Sequence, residues 1–330
     1  MRGMRGRRRW ARVGSLAVAA LLVAVSLVIR LRALDRFVTP DELKWVCRSI
    51  NFYRALRSGA FQDTRQTGHP GVITMWLGAP LMGVDPGAQW LDGCINPRVA
   101  DLIEASPKEF APRLASLLFR ARRGVAVLTS LAVGAAFLLL ARLFGRRIAT
   151  VIGVLVLFDP LFIAHSRLLH LDAIITSLLY LSILCLAIGL REDRPLYLVV
   201  SGVLGGLAAL NKSPATFVAP FAVGCIALVA LMDRRPLRWL VERATIWGLS
   251  LVVVYFLAWP AMWVHPWRTV RIVFGTALSY ASAPHSNSNY FLGAPRPDPG
   301  AAFYPVAVAF RLTPWTMLGL VAAIPSLLRR

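Results

Sequence analysis

The fold is decided by the first 42 residues, MRGMRGRRRWARVGSLAVAALLVAVSLVIRLRALDRFVTPDE, Met1 to Glu42. A basic start precedes an apolar run from Val13 to Ile29, after which Arg30, Arg32 and Arg36 return. The run approaches the ~20 residues that a helix needs to cross a bilayer. A small-residue cleavage site is hard to place in it, so the stretch predicts an uncleaved signal anchor at 13–31 with a cytoplasmic N-terminus. Just past it stands Pro40-Asp41-Glu42. Two adjacent carboxylates at the mouth of a membrane helix are costly to put there and need a reason.

The rest of the chain extends this reading. Of its 330 residues, 57% are hydrophobic and 16% charged, with a mean hydropathy of +0.61, whereas soluble domains carry roughly 25% charge. The net charge of +21 raises nucleic acid as a partner. No basic–aromatic module is visible, however, and the basic residues sit largely at span ends and in connectors. Retention of Lys and Arg on the cytoplasmic side, with attraction to anionic lipid heads, explains the charge, and no nucleic acid partner is expected. Apolar runs near 13–31, 122–141, 147–164, 171–190, 196–211, 214–232, 243–263 and 305–327 predict about eight membrane helices. The connectors RLFGRR (142–147), REDRP (191–195) and DRRPLR (233–238) then fall on the N-terminal side, the positive-inside pattern. The expectation is an all-α polytopic protein: one multi-pass domain over 1–330, in the cell membrane.

Two segments on the opposite side are too long for turns. The first, 32–120, holds the acidic pair. Within it Leu43, Val46, Ile50, Tyr53 and Leu56 recur at helical spacing beside Lys44, Arg48, Arg54 and Arg57, which predicts an amphipathic helix lying on the membrane surface. Gly71–Met82 is apolar but short, and reads as interfacial or re-entrant. The second, His265–Tyr304, begins with another amphipathic stretch. All five histidines (His69, His165, His170, His265, His285) fall on this same side. Cys185 and Cys225 lie in apolar spans as packing residues. Cys47 and Cys94 share one outer loop, and their pairing is left open.

Each polar constellation admits two readings. Asp41 suits a general base, yet Thr39-Pro40-Asp41-Glu42 equally suits a helix start with acids in its first turn. His69, before Pro70, is a loop histidine or a contact for a divalent cation or phosphate; His265 is a second such candidate. Arg167, His170 and Asp172 in the hairpin SRLLHLDA form an interfacial ion pair or bring a second acid towards Asp41. Lys212 in ALNKSPA snorkels or binds a lipid phosphate. Trp259-Pro260-Ala261-Met262-Trp263-Val264-His265-Pro266-Trp267 is an aromatic belt or a surface for sugar rings. His170, Trp263 and His285 are thus candidates at the sugar and lipid interface.

At these residues the chain resembles the lipid-linked-sugar-dependent glycosyltransferases of GT-C fold, the protein O-mannosyltransferases and bacterial aminoarabinose-type transferases in particular. Four pieces match in order over roughly 13–232: the acidic pair; the His69-Pro70 turn; LARLFGRR with SRLLHLDA; and ALNKSPA. The resemblance implies a GT-C-like bundle and a catalytic Asp41 supported by Glu42. It further implies Asp172 as the second-loop acid, and Lys212 with Arg122 as contacts for the donor phosphate. The donor would be a polyprenyl-phosphate sugar, the acceptor a protein, lipid or glycan hydroxyl, with a divalent metal as the candidate cofactor and no nucleotide. The family's longer His-Pro-Pro-Leu-Gly-Lys run is present only as His69-Pro70-Gly71. Relatives usually carry more spans or a soluble C-terminal domain, so a minimal or truncated form is expected. A flippase for lipid-linked head groups, or a non-catalytic membrane subunit, are the competing classes; the scarcity of charge at mid-span favours the enzyme.

Overall fold

The computed structural model describes residues 2–85, 107–282 and 289–328. It is nearly all helix: α1 (Arg2–Leu31), α2 (Pro40–Ser58), α3 (Val72–Met82), α4 (Pro107–Phe144), α5 (Arg146–Leu157), α6 (Pro160–His165), α7 (Asp172–Arg191), α8 (Pro195–Asn211), α9 (Val218–Met232), α10 (Leu237–Leu257), α11 (Ala261–Val264), α12 (Pro266–Ser282), α13 (Phe303–Arg311) and α14 (Pro314–Leu328). Single 3-10 turns lie at Phe61–Thr64 and Ser213–Phe217. A short antiparallel pair, β1 (Asn289–Phe291) and β2 (Ala294–Arg296), sets Tyr290 opposite Pro295. The protein is an all-α polytopic membrane protein, as expected.

Among the described residues five stretches are long and apolar enough to span a bilayer: Val13–Leu31, Pro112–Phe144, Asp172–Arg191, Ser213–Met232 and Leu237–Leu257. The pair α13 and α14 adds a sixth if taken as one span, but it bends by 117°. Eight were expected, and local chemistry accounts for the difference. The stretch 147–164 breaks into α5 and α6 because Asp159 caps α6, accepting from the Phe162 N–H at 2.7 Å, with Pro160 at the first helical position. The stretch 196–211 is the 17-residue α8. Both still run the length of the bundle. Arg146, at the start of α5, packs against Gly14, while His165 at the end of α6 comes within 4.0 Å of Asp172. Tyr197 near the start of α8 accepts from Arg142, and Asn211 at its end meets Gly71 and Thr74.

α4 and α7 form the centre, with 61% of each apolar window buried, against 22% for α1 and 6% for α10. The outer faces of the peripheral helices are nonetheless apolar; Leu249, Val252 and Leu257 on α10 are exposed. Such faces suit a hydrocarbon solvent, because helices satisfy their own backbone groups there. Where helices meet, small residues let the backbones approach: a Cβ on Gly202 of α8 would stand 2.3 Å from the Trp247 carbonyl oxygen of α10.

The segment 32–85 does not lie apart from the bundle. Trp45, Val46, Cys47, Ile50 and Phe52 of α2 are buried, in one core cluster with Met75 of α3, Leu118 of α4, Ile174 of α7 and Trp259. Cys47 is disulfide-bonded; Cys94 lies outside the described residues. α2 and α3 therefore form a lid of packed helices on one end of the bundle, the end that also carries the N-terminus of α7 and the C-terminus of α8.

Candidate active site

α2 begins where the sequence demands it. Thr39 is extended at the N-cap (φ −93°, ψ 150°), proline follows, and the Glu42 carboxylate accepts from the Thr39 N–H and hydroxyl, both at 3.0 Å. Consecutive helical residues point about 100° apart, so the two acids diverge. Glu42 turns inward and is fully buried. It accepts from Arg122 Nε at 2.7 Å, from Arg122 Nη2 at 2.5 Å, and from the Leu169 N–H at 2.8 Å. Arg122 is 2% exposed, and its remaining donors meet the carbonyls of Leu34 and Phe37. All three guanidinium nitrogens are engaged. Glu42 and Arg122 thus tie α2 to α4 and to the hairpin before α7. This is a fully satisfied buried ion pair, and a donor phosphate would have to displace Glu42 to reach Arg122.

Asp41 turns outward, with 59% of its side chain exposed. One oxygen accepts from Lys44 Nζ at 3.1 Å; the other lies 3.9 Å from His170 Nε2. The opposite ring nitrogen, His170 Nδ1, stands 3.3 Å from the Asp172 carboxylate, whose second oxygen accepts from Lys212 Nζ at 2.7 Å. Two carboxylates from different helices thus flank one imidazole, with a lysine at each end of the row. His165 Nδ1 is 4.0 Å from the same Asp172 oxygen that faces His170. Beside Asp172 opens a cavity of about 720 Å3, lined by His165, Asp159, Phe162, Tyr180, and Arg311 with Thr316 from the last two helices.

Asn211 holds the pieces together. Buried at the end of α8, its side-chain oxygen accepts from the N–H and hydroxyl of Thr74, at 3.1 and 2.9 Å, and its amide donates to the Leu171 carbonyl at 3.0 Å. Its own carbonyl accepts from the Gly71 N–H at 3.0 Å. Gly71 is two residues from His69, Leu171 stands between His170 and Asp172, and Asn211 itself precedes Lys212. Pro214 stops α8 from continuing, leaving Lys212 extended (φ −151°, ψ 133°) with its side chain directed at Asp172.

His69 joins this end from the turn before α3. Its ring stacks on Tyr280 of α12, centroids 5.1 Å apart, and its Nδ1 is buried without a partner among the described residues. Burial, and after it the charges of Lys212 and Arg48, hold the His69 imidazole below the usual histidine range. Among the described residues no group of three or more His, Cys, Asp or Glu is arranged to hold a metal ion.

The structure thus brings together Asp41, His170, Asp172 and Lys212, with His69 nearby, and buries Glu42 with Arg122 beneath them. It does not bring in Trp263, whose indole donates to the Phe256 carbonyl at 2.9 Å, or the exposed His265 at the head of α12. His285 lies outside the described residues. Sequence reasoning missed Asn211 and underrated His170. The alternation His170-Leu171-Asp172 at a helix start was the signal for the latter; a lone asparagine ending an apolar run was the signal for the former.

A polytopic helical bundle with an acid–histidine row at one end of its spans is the class of protein defined so far. Residues 114–263 match the family described as dolichyl-phosphate-mannose-protein mannosyltransferase. This region runs from α4 to α11 and contains Arg122, His170, Asp172 and Lys212, but not Asp41 or His69. The match supports a membrane glycosyltransferase of the GT-C type. No curated protein compared with the chain matches it.

Proposed function

We propose that the protein transfers a sugar from a polyprenyl-phosphate donor to an acceptor hydroxyl, with Asp41 as the base. The observation that carries this reading is the exposed Asp41 carboxylate, set on a rigidly capped helix and in line with His170, Asp172 and Lys212. The acceptor oxygen attacks the anomeric carbon while its proton passes to Asp41. The bond from that carbon to the phosphate oxygen breaks, and the electron pair leaves with the polyprenyl phosphate. Single displacement inverts the anomeric centre. Phosphate leaves readily, so no general acid is required, and cations near it stabilise the developing charge. His170, between the two carboxylates, keeps Asp41 oriented. The cavity beside Asp172 has apolar walls that suit a lipid substrate with its head at the polar end. The site faces the non-cytoplasmic side, with the basic connectors inside.

The test is transfer from a labelled polyprenyl-phosphate sugar by lipid-reconstituted protein, wild type against Asp41→Asn. The expected loss is about 10²- to 10⁴-fold in rate, the usual worth of a positioned base. Full activity in Asp41→Asn would remove the base assignment. A wild type inactive with every sugar and acceptor offered would remove the donor class.

A further inference from the structure

The cations at this end are not equivalent. Lys44 is paired with Asp41, Arg122 with Glu42 and Lys212 with Asp172. Arg48, half-buried, makes no ion pair and no hydrogen bond among the described residues. It lies on the same face of α2 as Asp41, two turns further along, with Trp45 between them. The guanidinium carbon sits 4.7 Å from the centroid of the Trp45 ring. That ring is itself fixed, 3% exposed and packed so tightly on Gly71 that a Cβ there would come within 2.2 Å of it. Gly71 also needs its positive φ of 61°, so the shelf under Arg48 has little freedom to move. Burial draws the Arg48 guanidinium below the usual arginine range, while Asp41 and the Tyr280 hydroxyl act in the opposite sense. The charges of Lys212 and Arg48 both act on His69.

A desolvated guanidinium held on an aromatic shelf, without a carboxylate of its own, is an anion contact awaiting its anion. Lys212 alone fills that role poorly, because its ammonium already holds Asp172. We propose that Arg48 binds the phosphate of the lipid donor and of the polyprenyl phosphate product, next to Asp41. This deepens the donor reading above and rests on it. The planar guanidinium offers a phosphate two parallel N–H donors, and Trp45 orients that fork towards the base.

The experiment measures binding of polyprenyl phosphate and of the uncharged polyprenol to detergent-solubilised wild type, Arg48→Met and Arg48→Lys. Wild type should prefer the phosphate by at least about tenfold, the scale of one charge-assisted hydrogen bond. Arg48→Met should lose that preference while binding polyprenol as before, and Arg48→Lys should keep part of it. A melting curve on each variant reports folding, and Arg48→Gln replaces the Met variant if that one unfolds. A phosphate preference retained by both neutral variants overturns the Arg48 assignment and leaves the donor reading standing. A wild type that binds the phosphate no better than polyprenol overturns both.

Discussion

The two ends of the helical bundle carry charge in opposite ways. At the end formed by the loops after α4, α7 and α9, charges on adjacent connectors pair off with one another. Arg142 grips Glu192 with two nitrogens and gives the third to Tyr197, Arg243 meets Asp193 at 3.0 Å, and Arg191 donates to the Leu143 carbonyl. These are short connectors whose cations set orientation and close helix ends. At the other end the acids come from two segments, the start of α2 and the start of α7, one carboxylate is exposed, and the charges of Lys212 and Arg48 both act on the half-buried His69. Charge that is satisfied by its neighbours builds a membrane protein. Charge left partly open, as at Asp41, has room for a ligand that the paired end lacks.

That contrast can be broken or sharpened by substitution. The largest stability effect is expected at Glu42→Gln, which leaves Arg122 buried without a counter-charge; breaking such a pair costs about 3–5 kcal/mol. Thermal melting in detergent checks it. Pairing it with Arg122→Met should restore part of the loss, since no uncompensated charge is then buried. Next comes Asn211→Ala. It removes the partner of the Leu171 carbonyl and of Thr74, each worth about 1–3 kcal/mol when left unsatisfied in the interior. Transfer should fall further than stability alone explains, because His69, Asp172 and Lys212 lose their common anchor; activity measured well below the melting point separates the two. The smallest effect belongs to the opposite end. Arg142→Gln breaks an exposed pair and should move the melting midpoint by no more than about 2 °C, with transfer unchanged. A large loss there would show that the basic end is not merely structural.

Much of this was legible in the sequence. The apolar runs located the long helices, and Thr39-Pro40-Asp41-Glu42 announced the start of α2, which the structure shows capped by Glu42. Glu42 took the cap and the buried pair, leaving Asp41 in the open. What the sequence did not carry is which cations are already engaged. Arg122 and Arg48 look alike on paper; burial beside Glu42 distinguishes one, and the Trp45 shelf the other. The breaks at Asp159-Pro160 and before Pro314 were visible as residues, yet the apolar character of their surroundings masked them as single spans. His265 and Trp263 fall on the same side of the bundle as the site by sequence but sit on the turn around α11, a separation that only the packing of α10 to α12 reveals.

The measurement that bears most directly on the whole account is a side-by-side comparison of Asp41→Asn and Glu42→Gln, each assayed for melting and for sugar transfer in one reconstituted preparation. Asp41→Asn is predicted to melt with the wild type and to transfer at less than about one-hundredth of its rate, while Glu42→Gln melts well below both. An Asp41→Asn protein that transfers normally, or that loses stability as Glu42→Gln does, would contradict the division of these two neighbours into base and brace.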